Sequence, residues 1–186
     1  MKNLGKILAA ASFLVTAATA KSQTELGRFE TSDQQLNLDF ELNPEAGVPP
    51  QNWYGIRNGF TIVSDPTEHY RGSWSVRISS TSESKEFGAL AWCLSADKFQ
   101  GTVAFSGFIK TANVTDGWAG LWVRVDGANG EALGFDNMQG RGVVGSTEWR
   151  YYNSRVLDVP AAASKVCFGV LTAGRGTAWF DSLNIR

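Results

Sequence analysis

The chain has 186 residues, with 17 Lys plus Arg against 18 Asp plus Glu, 7 Trp, 20 Gly, two Cys and one His. That length suits one domain with a core that needs no metal or disulfide staple, and a net charge of −1 gives no bulk attraction to nucleic acid. One His and two distant Cys exclude a zinc site of the usual Cys and His ligands, and leave little for imidazole catalysis.

Residues 1–20 read as a secretory signal peptide. Lys2 and Lys6 open it, Ile7–Val15 is its apolar run, and Ala18-Thr19-Ala20 supplies the small residues of a cleavage site. The run is too short to span a bilayer, and no later segment is long and apolar enough to do so. No Cys follows it to carry a lipid anchor. The expectation is an exported protein, periplasmic or extracellular. Cleavage after Ala20 removes two lysines and no acids, taking the net charge from −1 to −3. Residues 21–35 are polar without periodicity and read as a flexible lead-in. The domain is expected over residues 36–186.

From Leu36 onward, short apolar runs alternate with turn clusters such as Pro49-Pro50, Asp65-Pro66, Asn129-Gly130 and Gly174-Arg175-Gly176. Strands are predicted at Leu36–Glu41, Gly59–Ser64, Ser73–Ser79, Gly88–Ser95, Thr102–Thr111 and Trp118–Val125. Four more follow at Glu131–Met138, Glu148–Asp158, Lys165–Thr172 and Thr177–Ile185, with a helical turn at Ser95–Phe99. About ten short strands and no long helical pattern indicate an all-β sandwich or barrel. Export permits a disulfide between Cys93 and Cys167. The alternative is two small buried strand residues.

Gly117–Gln139 reads as a hairpin. Alternation puts Ala119, Leu121, Val123 and Val125 on the core face and Trp118, Trp122 and Arg124 on the other. A register that opposes Val123 to Leu133 keeps the core face apolar and places Trp122 against Gly134. Asp136 then joins the outer set. Indole rings lie well against the CH faces of sugars, and Arg and Asp reach their hydroxyls. Trp118, Trp122, Arg124 and Asp136 are therefore a candidate glycan platform, with Tyr54 and Arg141 at its rim. The structural alternative is that Trp122 covers the bare backbone of Gly134 and Arg124 stacks on Trp122. Trp74, Trp92, Trp149 and Trp179 read as core. Trp53 either lines a mouth or plugs the sandwich end.

Asp181 shares parity with Trp179, Leu183 and Ile185, so a carboxylate falls on an apolar face. If the first and last strands are neighbours, Glu41 and Asp181 can hold a structural calcium with backbone carbonyls. The alternative is a bulge that turns Asp181 out, or a hydrogen bond to a loop. No other cofactor is expected.

Asn37-Leu38-Asp39-Phe40-Glu41, Trp53 in its Pro/Gly-rich loop, Gly72-Ser73-Trp74-Ser75 and the closing Trp179-Phe180-Asp181 resemble carbohydrate-binding modules with the galactose-binding-like jelly-roll fold. Phe105–Thr111, Gly117–Gly127, Phe135–Gln139 and Leu157-Asp158-Val159-Pro160 resemble an accessory domain that precedes secreted bacterial hydrolases. These include C-terminal-processing-type peptidases and erythromycin-esterase-like proteins. The resemblance covers Leu36 to Arg186. It implies a jelly-roll β-sandwich of about 8–10 antiparallel strands, and binding or positioning rather than chemistry. It departs in one respect: the sequence stops at Arg186 with no hydrolase following.

Catalytic patterns are absent: there is no GxSxG, HExxH or P-loop. Asp126, Glu131 and Asp136 are the nearest carboxylate set for a glycosidase, and His69-Tyr70-Arg71 is the set a lyase would use. The first expectation is a non-catalytic module binding a glycan or cell-surface polysaccharide. The second is a protein-interaction domain serving a secreted hydrolase, and the third a lyase or hydrolase.

Overall fold

The structure is a computed structural model, and it describes residues 36–81 and 86–186. The predicted signal peptide and lead-in lie outside the described residues. Eleven strands follow one another: β1 Tyr54–Ile56, β2 Phe60–Asp65, β3 Ser75–Ser80, β4 Phe87–Ser95, β5 Thr102–Val103, β6 Phe105–Gly127, β7 Ala132–Asp136, β8 Val143–Asn153, β9 Leu157–Asp158, β10 Ala163–Ala173 and β11 Arg175–Ile185. A 3₁₀ turn at Ala96–Lys98 occupies the predicted helical turn.

The long β6 organises the fold. Its 23 residues would stretch about 75 Å if straight, so it cannot stay in one layer. Its register slips around Val114, where Asn113 and Asp116 adopt left-handed φ of 53° and 59°, and bulges of this kind bend a strand. The first half of β6 pairs with β11 and with most of β8, and β11 continues through β3 to β2. The second half pairs with β10 and β7, and β10 continues through β4 to β1. The result is two leaves joined through β6: a back leaf β2-β3-β11-β6-β8 and a front leaf β1-β4-β10-β6-β7. All these pairings are antiparallel. The predicted jelly-roll sandwich is the observed architecture.

The core lies between the leaves. Ile62, Val76, Ile78, Ile109 and Phe180 come from the back leaf; Leu90, Leu121, Val123, Val166 and Phe168 come from the front. The alternation expected for Ala119, Leu121, Val123 and Val125 holds, and all four are fully buried. Trp53 plugs one end. Its ring meets Phe168 edge-on and its indole N–H donates to the Asn37 carbonyl.

Four expectations are corrected. Leu36–Glu41 is a set of turns, with Asn37 and Phe40 at left-handed φ, although the Leu183 N–H still donates to the Leu38 carbonyl and ties this segment beside β11. The hairpin register is shifted: Val123 opposes Asp136, and Val125 opposes Gly134. An odd shift moves every β7 side chain to the other face, so Asp136 leaves the outer set. Trp149 and Trp179 stand on the outer face of the back leaf, not in the core. The parity of β11 flips at Ser182, whose φ of 48° marks a bulge; Asp181 therefore points outward while Leu183 packs in the core.

Candidate functional site

The outer face of the front leaf holds one row of cross-strand neighbours: Tyr54, Ala91, Gly169 and Trp122. Adjacent strands lie about 4.8 Å apart, so the two aromatics bracket a floor roughly 14 Å wide. That floor carries only a methyl group and a hydrogen. Trp122 leans across it and donates its indole N–H to the Leu90 carbonyl at 3.2 Å. Any Cβ on Gly169 would collide with the Leu90 carbonyl and press on the Trp122 indole nitrogen, so this position requires glycine. Trp122 thus covers a strand glycine as the structural alternative proposed, but the glycine is Gly169. Tyr54, 56% exposed, stands free at the far edge.

The neighbouring row is Cys93, Cys167, Arg124 and Phe135. Cys93 and Cys167 are directly opposed and form a disulfide. Arg124 is buried; its Nε donates to Asp126 Oδ1 at 2.5 Å and its Nη2 to the Gly130 carbonyl at 3.1 Å. It is a fixed cation beside the row, not a mobile surface charge. On the other side, Met138 from the β7–β8 loop folds against Gly120.

The remaining predicted platform residues lie elsewhere. Trp118 is buried, packs on Gly142, and donates its indole N–H to the Asn137 carbonyl at 3.0 Å. Asp136 is buried on the core side and pairs with Arg141. It also accepts the Arg155 N–H at 2.7 Å and the Met138 N–H at 3.3 Å. Asp136 and Arg141 therefore pin the β7–β8 loop. Of the six predicted residues, the structure gathers Tyr54, Trp122 and Arg124 and separates Trp118, Asp136 and Arg141. The small floor between them could have been seen in the sequence only by pairing Gly169 with Ala91, two strands distant from each other in the chain.

Glu41 and Asp181 both attach to the β2–β3 loop. Glu41 Oε1 accepts the N–H groups of Ser73 and Trp74 at 2.7 and 2.8 Å. Gly72, at φ +69°, is the residue that lets the loop approach, because a Cβ there would strike this carboxylate. Asp181 is 0% exposed. Its Oδ2 accepts Tyr70 and Arg71 N–H at 2.7 and 2.9 Å, and its Oδ1 accepts Ser182 N–H at 2.5 Å. Burial pushes its pKa up against these bonds. Amide dipoles thus do the work of a counter-charge for both carboxylates. Among the described residues, no group of three or more His, Cys, Asp or Glu stands close enough to hold a metal.

The carboxylate candidates are held in structural contacts, and the lyase-type triplet is anchored through backbone amides and the Tyr70 ring, with His69 exposed. Tyr70 and Arg71 of the lyase-type triplet spend their amides on Asp181, and Tyr70 stacks on Phe108. Asp126 is held by Arg124 and, at 3.7 Å, by Lys165. Glu131 caps its own turn through the Asn129 N–H.

No family model matches the chain. It is 37% identical over 125 residues to the uncharacterized HTH-type transcriptional regulator YbfP of Bacillus subtilis (strain 168), a match that takes in 66% of this chain and 42% of that protein. The chain therefore spans less than half the length of this curated relative. In three dimensions it is similar to the CBM22-1 xylan-binding domain of Paenibacillus barcinonensis Xyn10C, with a TM-score of 0.57 at 18% identity over 80% of this chain and 90% of that one. Its fold is that of the β-sandwich carbohydrate-binding modules. The C-terminal family 22 module of Clostridium thermocellum Xyn10B is also similar, with a TM-score of 0.54 at 13% identity over 79% of this chain and 88% of that one. A tailspike protein of bacteriophage CBA120 shares the fold at a TM-score of 0.55 and 14% identity, over 73% of this chain and 19% of that one.

Proposed function

We propose that the chain is an exported, non-catalytic module that binds a polysaccharide across the outer face of the front leaf. One observation carries this reading: Tyr54 and Trp122 stand in one row on the outer face, with only the Ala91 methyl and Gly169 between them and the Trp122 indole laid over Gly169. Aromatic rings on an outer sheet face take the CH face of a pyranose. The fold neighbours include xylan-binding modules, and a module of the same fold has been solved with β-1,4-galactotriose. Export rests on residues 1–20 and is compatible with the disulfide. Service as an accessory domain for a secreted hydrolase remains the second reading from the sequence resemblance.

The test uses Tyr54→Ala, because Tyr54 is exposed and its removal leaves the core intact. The variant is expected to be retained more weakly on immobilised xylan or galactan, by about fivefold, with an unchanged melting transition. Retention equal to the parent's would remove the platform from this face. Calcium at Glu41 and Asp181 is proposed separately, supported by their convergence on one loop. It would have to draw both carboxylates away from the loop amides. A melting temperature that is higher in calcium than in EDTA, with the difference lost in Glu41→Gln, is the expected result; equal values would remove calcium.

A further inference from the structure

The outer face of the back leaf carries a ring cluster that the proposed function does not use. Tyr70 lies flat on Phe108, with centroids 3.5 Å apart and planes 14° from parallel. Trp149 stands against Tyr70 at 6.2 Å and 54°, and Tyr151 against Phe108 at 5.4 Å and 58°. The four rings come from the β2–β3 loop, β6 and β8. Phe108 and Tyr151 are cross-strand partners, and their neighbour Ile109 faces the core. The cluster therefore lies outside the sandwich, and core packing does not account for it. Tyr151 is 52% exposed, while Tyr70, Phe108 and Trp149 are half-buried.

The rings are held before any ligand arrives. Tyr70 is fixed through its own amide and that of Arg71 on the buried Asp181, and the Arg71 guanidinium lies 5.6 Å from the Tyr70 ring centroid. Rings ordered in advance lose little freedom on binding. Lys110 and Arg77 nearby are already paired. Lys110 contacts Glu68 at 2.9 Å and Glu148 at 3.3 Å, and Arg77 contacts Asp65 at 3.2 Å. A dry protein interface would have to desolvate these pairs. A neutral chain rich in hydroxyls stacks on the rings and bonds to the spare lone pairs without breaking them.

We propose that Tyr70, Phe108, Trp149 and Tyr151 form a second glycan-binding surface, for a neutral polysaccharide, on the face opposite the Tyr54–Trp122 row. The module is then two-sided. It holds two chains, or two stretches of one chain, and gains avidity from the pair.

The test is affinity electrophoresis of the full chain in gels containing xylan, β-1,4-galactan or glucomannan, with turbidity of protein–polysaccharide mixtures as a second readout. Trp149→Ala with Tyr151→Ala is expected to weaken retardation about fivefold to tenfold and to abolish turbidity, since cross-linking needs both faces. Trp149→Phe with Tyr151→Phe keeps rings in place and is expected to restore both, which separates lost stacking from lost folding. If the double alanine variant is retarded and forms turbid mixtures as the parent does, the second surface does not exist. Parent protein that runs free in all three gels overturns it as well. The front-face reading is tested apart: Tyr54→Ala that binds normally, beside a double variant that does not, removes the front platform and leaves the back surface standing.

Discussion

The two outer faces of the sandwich are built in opposite ways. The front face is covered at its centre by a side chain of its own strands, Trp122 laid across Gly169 to the Leu90 carbonyl, with its arginine locked between Asp126 and Gly130. The back face is roofed at its centre, where the loop after β2 lays amides on Asp181 and a ring on Phe108. Strand alternation sends residues outward on both leaves in the same way. At the back, what covers them is decided by segments more than 100 residues away, as in the bonds from Asp181 to Tyr70 and Arg71, 111 and 110 residues distant. An outward residue is thus covered from within its own leaf at the front and by a distant loop at the back.

The largest expected effect breaks the front face. Cys93 and Cys167 are 74 residues apart and close the only disulfide among the described residues. In the chain-entropy account, a loop of that size contributes about 4 kcal/mol. Cys93→Ala with Cys167→Ala is therefore expected to unfold at a clearly lower urea concentration than the oxidised parent. An unchanged midpoint would show that strand pairing alone holds β4 to β10.

The matching break on the back face is Asp181→Ala. It leaves three backbone donors without their acceptor in a buried site, a loss of about 3 kcal/mol. Retained stability would mean that the loop can shed its anchor and find water. A limited proteolysis comparison sharpens this: cleavage in the Pro66–Trp74 loop is expected to appear in Asp181→Ala and not in the disulfide variant.

These contrasts also explain what the sequence made legible. Periodicity alone yields the sandwich and nearly all of its strands, because each buried strand writes its own alternation. It fails where one residue resets the parity. Ser182 turns left-handed and separates Asp181 from Leu183, and a bulge between Val125 and Asp126 shifts β7 against β6. Asp136 was lost from the platform for that reason. The Gly169 floor and the Tyr70–Phe108 stack depend on which strands and loops meet, and no local pattern records that. Tyr54 and Trp122 were readable as outward-facing aromatics; their place in one row, and the lean of Trp122 over Gly169, were not.

A smaller effect separates binding from folding. Tyr54→Ala is expected to weaken binding to soluble xylan or galactan about fivefold, the value of one stacking ring. Stability should stay within about 0.5 kcal/mol of the parent, as for most surface changes. A variant destabilised as much as it is weakened would make Tyr54 a structural residue of the short β1, and the contrast between a free front rim and an anchored back loop would narrow.

The smallest effect, a pH dependence, sets two back-face acids against each other. Burial raises the pKa of Asp181 above its ordinary value of 3.8. Burial would raise that of Asp65 too, but the Thr67 hydroxyl and amide, the Trp179 indole and Arg77 outweigh it and hold its pKa below 3.8. The signs follow from proton linkage. Between 3.8 and its folded value, native Asp181 binds more proton than the unfolded chain does, so its contribution to stability grows as pH falls through the folded value. Native Asp65 binds less proton than the unfolded chain, so its contribution is full above 3.8 and fades as pH falls below it. Melting curves in EDTA therefore separate the two. Relative to Asp181→Asn, the parent gains as pH falls from neutral toward about 4. Relative to Asp65→Asn, it keeps a constant advantage over that range and loses it only in stronger acid. Parallel curves for all three proteins would mean that neither carboxylate differs from the unfolded chain, and that the amides at Asp181 already offset its burial in full.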